Sequence, residues 1–171
     1  MYRAKPLAAT LLGLALLVWH PVVPALSGDA RQPIELEADS VDIDEGKGVS
    51  VYQGHVSLRQ GSIRLEADTV TVTFQGRRPQ QVVAVGRPVR FQQQPDGDKE
   101  PVKGSARRAE YLVDSEELVL IGDAHLKQGR DSFNSDRIVY DRVQAKIKAG
   151  AAAQGKERVK ITIGSQRDAG K

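Results

Sequence analysis

Residues 49–74 read VSVYQGHVSLRQGSIRLEADTVTVTF. Tyr52, Val56 and Leu58 fall on even positions, separated by Gln53, His55, Ser57 and Arg59. After Gly61 the apolar residues move to odd positions (Ile63, Leu65), and Val70, Val72 and Phe74 return to even ones. Alternation with period two marks strands that have one wet face and one apolar face. Each phase change falls on a glycine or on the polar cluster Glu66-Ala67-Asp68, where a turn or bulge resets the register. The stretch predicts a meander of short antiparallel strands.

The pattern recurs. A shift of 68 residues lays Gly54 on Gly122, Ala38 on Ala106, Tyr52 on Leu120 and Val56 on Ala124. It also lays Leu58 on Leu126, Gln60-Gly61 on Gln128-Gly129, Leu65 on Phe133, Asp68 on Asp136 and Val70 on Ile138. Ile63 is the exception and meets Asp131. Repetition at a fixed offset, with glycines in register, implies stacked strand units that share one continuous apolar face.

Outward from the repeat, composition narrows the classes. The chain has 171 residues, enough for one domain. It has no cysteine, which excludes disulfides, thiolate metal sites, a cysteine nucleophile and a lipid-modified N-terminal cysteine. Residues 1–27 read as a cleaved secretory signal. Arg3 and Lys5 precede the apolar Leu7–Trp19, and Ala25-Leu26-Ser27 offers a small-x-small cleavage site. His20, Pro21 and Pro24 interrupt the apolar run short of the ~20 residues that span a bilayer. Export to a bacterial periplasm or beyond is the expectation. Without Arg3 and Lys5 the formal charge falls from +3 to about +1, 23 basic residues against 22 acidic. A near-neutral chain has little electrostatic reason to bind nucleic acid.

The domain is expected over residues 28–164, with a frayed tail at 165–171. Ile34–Ala38 and Asp39–Ile43 read as its first strands, and Asp44–Gly48 as a turn. After the central stretch come a turn at Gln75–Gln80 and a strand at Val82–Val85. Gly86-Arg87-Pro88 is expected to break that strand before Val89–Phe91. Gln92–Lys103 reads as a mobile loop between the repeat halves. Ser105–Asp141 repeats the meander, and Arg158–Ile163 is a last alternating strand. Asp141–Ala153 is a weak helix candidate.

Chemistry-bearing residues read as structural. His55 and His125 differ by 70, so they are not repeat equivalents, and each reads as a solvated strand histidine. No HExxH, GxSxG, Walker or EF-hand sequence occurs. Asp39, Asp68 and Asp136 each precede an apolar residue by two, and their recurrence points to carboxylates that accept backbone N–H groups between strands. Arg77-Arg78 and Arg107-Arg108 read as solvated edge charges. The sequence reads as a non-enzyme with no cofactor and no metal site.

A family resemblance rests on a longer set of residues. Gln32-Pro33-Ile34, Glu37-Ala38-Asp39, Tyr52-Gln53-Gly54-His55-Val56, Gln60-Gly61, Ala67-Asp68-x-Val70 and Gly86-x-Pro88-x-x-Phe91 carry its first part. Pro101-Val102-x-Gly104 and Leu120-Ile121-Gly122-Asp123-Ala124 carry the second. Together, over about Gln32–Ile163, the chain resembles the OstA-like family of periplasmic lipopolysaccharide-transport proteins. The resemblance implies an all-β fold, a β-jellyroll of stacked antiparallel strands with an open hydrophobic groove. It implies that lipopolysaccharide, held by its lipid A acyl chains, passes from an inner-membrane transporter complex to an outer-membrane translocon. It also implies head-to-tail homo-oligomers and edge-strand pairing with LptC-like and LptD-like proteins. The chain departs from the pattern at Asp131 and in Ala149–Gly155.

Shared parity selects the expected groove lining: Ile34, Leu36, Tyr52, Val56, Leu58, Leu65, Val70, Val72, Val89, Phe91, Tyr111, Val113, Leu118, Leu120, Leu126 and Ile138. A slot of branched aliphatics suits acyl chains, because each methylene taken from water contributes about 0.8 kcal/mol. Two other readings use the same strands: a membrane-anchored LptC-like component that keeps residues 1–27, and a structural β-repeat protein that self-assembles without lipid.

Overall fold

The computed structural model describes Asp29, residues 32–95 and residues 99–164. The expected signal segment 1–27 and the tail 165–171 lie outside the described residues. Among the described residues ten strands form one antiparallel sheet: β1 (Glu35–Glu37), β2 (Ser40–Asp44), β3 (Val49–Gln60), β4 (Ile63–Gln75), β5 (Arg78–Gln93), β6 (Val102–Leu112), β7 (Glu117–Gln128), β8 (Asp131–Asp141), β9 (Lys146–Ala149) and β10 (Lys160–Thr162). Neighbours in sequence pair from β3 to β8. The repeat is realised residue for residue at its start, since β3 shifted by 68 is β7.

Every long strand is interrupted near its middle. The pairing slips at Gln53/Val56 in β3, Glu66/Thr69 in β4, Val85/Val89 in β5, Ser105/Arg108 in β6 and Ile121/Ala124 in β7. Aligned across the sheet, these irregularities form a line along which it folds over. One layer holds β1, residues 56–67, 89–93, 102–106 and 124–135, and β10. The other holds β2, residues 49–53, 69–85, 108–121 and 137–141, and β9. Inward residues step by two within a layer, and by three across the fold in β4 (Ala67 to Val70) and β6 (Ala106 to Ala109). The phase change at Glu66-Ala67-Asp68 is therefore the fold line itself.

Glycine makes the fold line possible. Gly54 and its equivalent Gly122 have φ of 79° and 75°, and the next residues, His55 and Asp123, also have positive φ. Two successive left-handed residues add the extra length that lets β3 and β7 turn the corner. Both layers then contribute to one apolar core, whose largest fully buried side chains include Tyr140, Leu120, Leu126 and Ile138.

Several local expectations change. Gly86-Arg87-Pro88 does not end a strand: it is the bulge of β5, which runs on to Gln93 with Arg87–Pro88 in the cis form. The turn after β4 is two residues, Gly76-Arg77, rather than Gln75–Gln80. Gln92 and Gln93 belong to β5, and Val102 and Lys103 to β6, so the expected loop is shorter, and residues 96–98 lie outside the described residues. Asp141–Ala153 is no helix. It is the end of β8, a turn, β9 and a single 3-10 turn at Gly150–Ala153, because Ile147 and Ala149 pack on the core in strand geometry. Arg107 and Arg108 sit on β6, inside the sheet rather than at its edge, and pair with Asp123 (3.3 Å) and Glu110 (2.6 Å).

Of the three recurrent carboxylates, Asp136 does what its spacing predicts, since its Oδ2 accepts the Lys156 N–H at 2.6 Å. Asp39 differs. Its Oδ2 lies 2.8 Å from His55 Nδ1, because the left-handed turn at Gly54 swings the imidazole back over the β1–β2 corner.

Candidate functional site

The strand pattern that builds the two layers also leaves a space between them. An apolar cavity of about 610 Å³ lies in the half of the molecule nearest β1. Ile34, Leu36, Leu58, Leu65 and Phe91 wall it from one layer, and Tyr52, Val72, Tyr111, Val113 and Leu118 from the other. These are ten of the sixteen residues selected by parity. The remaining six, Val56, Val70, Val89, Leu120, Leu126 and Ile138, are at most 1% exposed and lie in the packed core.

The repeat explains the split. Leu58 and Tyr52 face the cavity, whereas their equivalents Leu126 and Leu120 are fully buried. Val72 lines the cavity, and the equivalent Tyr140 fills the corresponding space in the second half. At Gly104 the layers approach closely: a Cβ there would lie 3.0 Å from Leu120 Cδ1. Leu120 thus closes over a position without a side chain, between the cavity residue Phe91 and the core residue Leu126. Ile63 lines the cavity, while the equivalent Asp131 instead accepts the Gly164 N–H at 3.1 Å and fixes the chain beyond β10.

Seven further residues line the cavity: Gln60, Ile63, Phe74, Pro79, Val82, Glu116 and Arg142. Ile63, Phe74 and Val82 carry the same apolar parity as their neighbours, which is the signal that identifies them. Glu116 and Arg142 carry none, being charged residues in turns.

Arg142 is the one cation among the lining residues, and its side chain is only 6% exposed. Its Nη1 donates to Tyr111 Oη at 2.7 Å and its Nε to Gln93 Oε1 at 3.1 Å. Glu116 lies 3.6 Å away, and the guanidinium carbon is 5.3 Å from the Tyr111 ring centre. A buried guanidinium without partners would cost several kcal/mol; here a carboxylate, an amide, a phenol and a ring face offset that cost. Burial is also the main reason the Tyr111 hydroxyl titrates above 10.0. Because Arg142 follows β8 in one layer and Gln93 ends β5 in the other, their bond crosses the mouth opposite the fold line.

The sheet edge formed by β1 and β2 carries exposed apolar side chains. Ile34, Val41 and Ile43 are 55%, 55% and 59% exposed beside β1 and on β2. At the opposite edge Ile161 of β10 and Ile163 are 53% and 77% exposed. β1 and β2 pair only with β3, and β9 and β10 only with β8, so each edge keeps one unpaired backbone side.

Comparison with known proteins agrees with this architecture. Residues 35–146 match the family described as LptA/(LptD N-terminal domain) LPS transport protein. The lipopolysaccharide export system protein LptH of Pseudomonas aeruginosa is 35% identical over 143 residues, covering 83% of this chain and 82% of LptH. The corresponding LptA of Escherichia coli K12 is 33% identical over 144 residues, covering 83% and 77%. The crystal structure of the Pseudomonas LptH, titled the LptA homologous periplasmic component of a lipopolysaccharide transport device, superposes with a TM-score of 0.73. It covers 80% of this chain and 99% of that one, at 33% identity.

Proposed function

The chain belongs to the LptA/LptD N-terminal family of lipopolysaccharide transport proteins, and from that premise we propose that it is a periplasmic bridge protein that carries lipopolysaccharide from the inner to the outer membrane. The observation that carries this reading is the apolar cavity between the two layers. Burying about ten methylenes there contributes about 8 kcal/mol, enough to hold acyl chains without directional chemistry. Non-directional binding lets the lipid pass to an adjoining cavity of similar affinity. Carriage does not require bond making, and no nucleophile–base pair is invoked.

Bridging two membranes requires assembly, and the two sheet edges supply the means. β1 and β2 at one edge and β10 at the other offer backbone donors and acceptors for strand addition. Different edges meeting head to tail form a heterologous contact, which propagates as a filament. One end of that filament would receive an LptC-like protein and the other an LptD-like protein. Cleavage after Ser27 would release the chain into the periplasm.

Photo-crosslinkers test the cavity. At Ile34, Phe91 and Tyr111 they should capture lipopolysaccharide, and at the outward Glu35 and Arg90 they should not. Equal capture at both sets would overturn the assignment.

A further inference from the structure

Next to the cavity mouth, one carboxylate of the chain occupies a site built for an anion. Asp29 Oδ1 accepts the Ser62 N–H at 2.6 Å, and its Oδ2 accepts the Ser62 hydroxyl at 2.7 Å and Gln93 Nε2 at 3.1 Å. Room for it comes from Gly61, whose φ is +58°: a Cβ there would lie 2.2 Å from Asp29 Oδ1. Asp29 is 8% exposed, which is deep for a residue before the first strand. Gln93 joins this site to the cavity, since the same amide accepts from Arg142 through its oxygen. The flanking residues Gln60 and Ile63 are themselves cavity wall. Burial raises the Asp29 pKa, but the Ser62 and Gln93 hydrogen bonds and the Arg142 charge more than offset this and hold it below 3.8.

We infer that the Gly61-Ser62 turn, with Gln93 and Arg142, is a phosphate subsite at the mouth of the lipid cavity, and that Asp29 is its resident stand-in. The inference rests on the transport reading above and adds a headgroup contact to it. A backbone N–H, a hydroxyl and an amide N–H converging beside a guanidinium suit a phosphomonoester as well as a carboxylate. A lipid whose acyl chains enter the cavity would bring its sugar phosphate to this rim, where it displaces Asp29.

The test compares lipid A carrying its phosphates with a phosphate-free analogue of the same acyl chains, and with inorganic phosphate alone. The proteins are wild type, Asp29→Ala and Ser62→Ala, with thermal unfolding as the check on folding. Wild type should bind the phosphorylated lipid about tenfold more tightly, the worth of one charge-assisted hydrogen bond. Ser62→Ala should lose most of that preference. Asp29→Ala should strengthen binding of the phosphorylated lipid several-fold and leave the phosphate-free lipid unchanged. Displacement of Asp29 by inorganic phosphate alone would assign the site to free phosphate; a requirement for acyl chains would assign it to the lipid headgroup. If Asp29→Ala weakens both lipids equally, or changes neither, Asp29 only pins the chain and the inference is overturned while the transport reading stands. If neither lipid binds wild type, the transport reading falls and takes the inference with it.

Discussion

His55 Nδ1 lies 2.8 Å from Asp39 Oδ2, and 68 residues later Asp123 Oδ2 lies 3.3 Å from Arg107 Nε. The two pairs are repeat equivalents with the charges exchanged: acid and base have traded places across the same bulge. What the fold keeps is an attraction between the bulge and the preceding strand segment, whichever side supplies the cation. In the first repeat that cation is an imidazole, and in the second a guanidinium.

That difference gives a pH prediction. The hydrogen bond from Asp39 and then its charge raise the His55 pKa above 6.5. A group with a raised folded-state pKa contributes stability that is fully present below pH 6.5 and is lost as pH rises through the raised value. Amide protection factors at the β1–β2 corner, taken against the intrinsic exchange rate at each pH, should therefore fall on that rise, while those around Arg107 stay flat. In Asp39→Asn the His55 NMR titration should return to about 6.5; an unchanged midpoint would refute the coupling.

Equivalent leucines should behave differently. Leu126 is fully buried, so Leu126→Ala should destabilise by about 2–5 kcal/mol through lost transfer energy and a new void. Leu58 already faces the cavity. Leu58→Ala should cost about 1 kcal/mol in urea unfolding yet weaken lipopolysaccharide binding more than Leu126→Ala does in protein that remains folded. Equal stability losses would mean that the cavity is closed in solution.

Alanine at the fold-line glycines tests the bulges. At Gly122 a Cβ would lie 2.7 Å from Arg107 Nε, the end of a long chain that can move aside. Gly122→Ala should then cost about 1–2 kcal/mol, the left-handed penalty alone. At Gly54 the Cβ would meet Asp39 Oδ2 at 2.1 Å and Asp39 Cβ at 2.8 Å, with a shorter side chain to yield. Gly54→Ala should unfold at the lower denaturant concentration of the two, and it should also release His55 from Asp39.

Assembly depends on an edge that can be removed. Truncation after Gly155 deletes β10 and the Lys156 amide that caps Asp136. The shortened protein should remain folded, bind lipid and scatter light as a monomer at concentrations where the longer chain self-associates reversibly. Unchanged oligomers would exclude β10 as a docking edge.

Sequence alone determined most of the strands and the phase changes that mark the fold line, because those depend on neighbours one to three residues away, and the repeat was legible directly at its offset of 68 residues. Side-chain alternation follows from the pleat, and Gly54, Gly61 and Gly122 mark places where the backbone needs a left-handed residue. Parity also separated inward from outward positions, so Leu58 and Leu126 both read as facing in. Which of them meets space and which meets a packed partner was decided only in three dimensions. That depends on what the opposite layer supplies, such as Leu120 closing over Gly104 or Tyr140 standing where the first repeat has Val72. Arg142 lay beyond sequence reasoning for the same reason. Its partners Gln93, Tyr111 and Glu116 are 26 to 49 residues away along the chain, and no local pattern announces a charge that only the folded-over sheet surrounds.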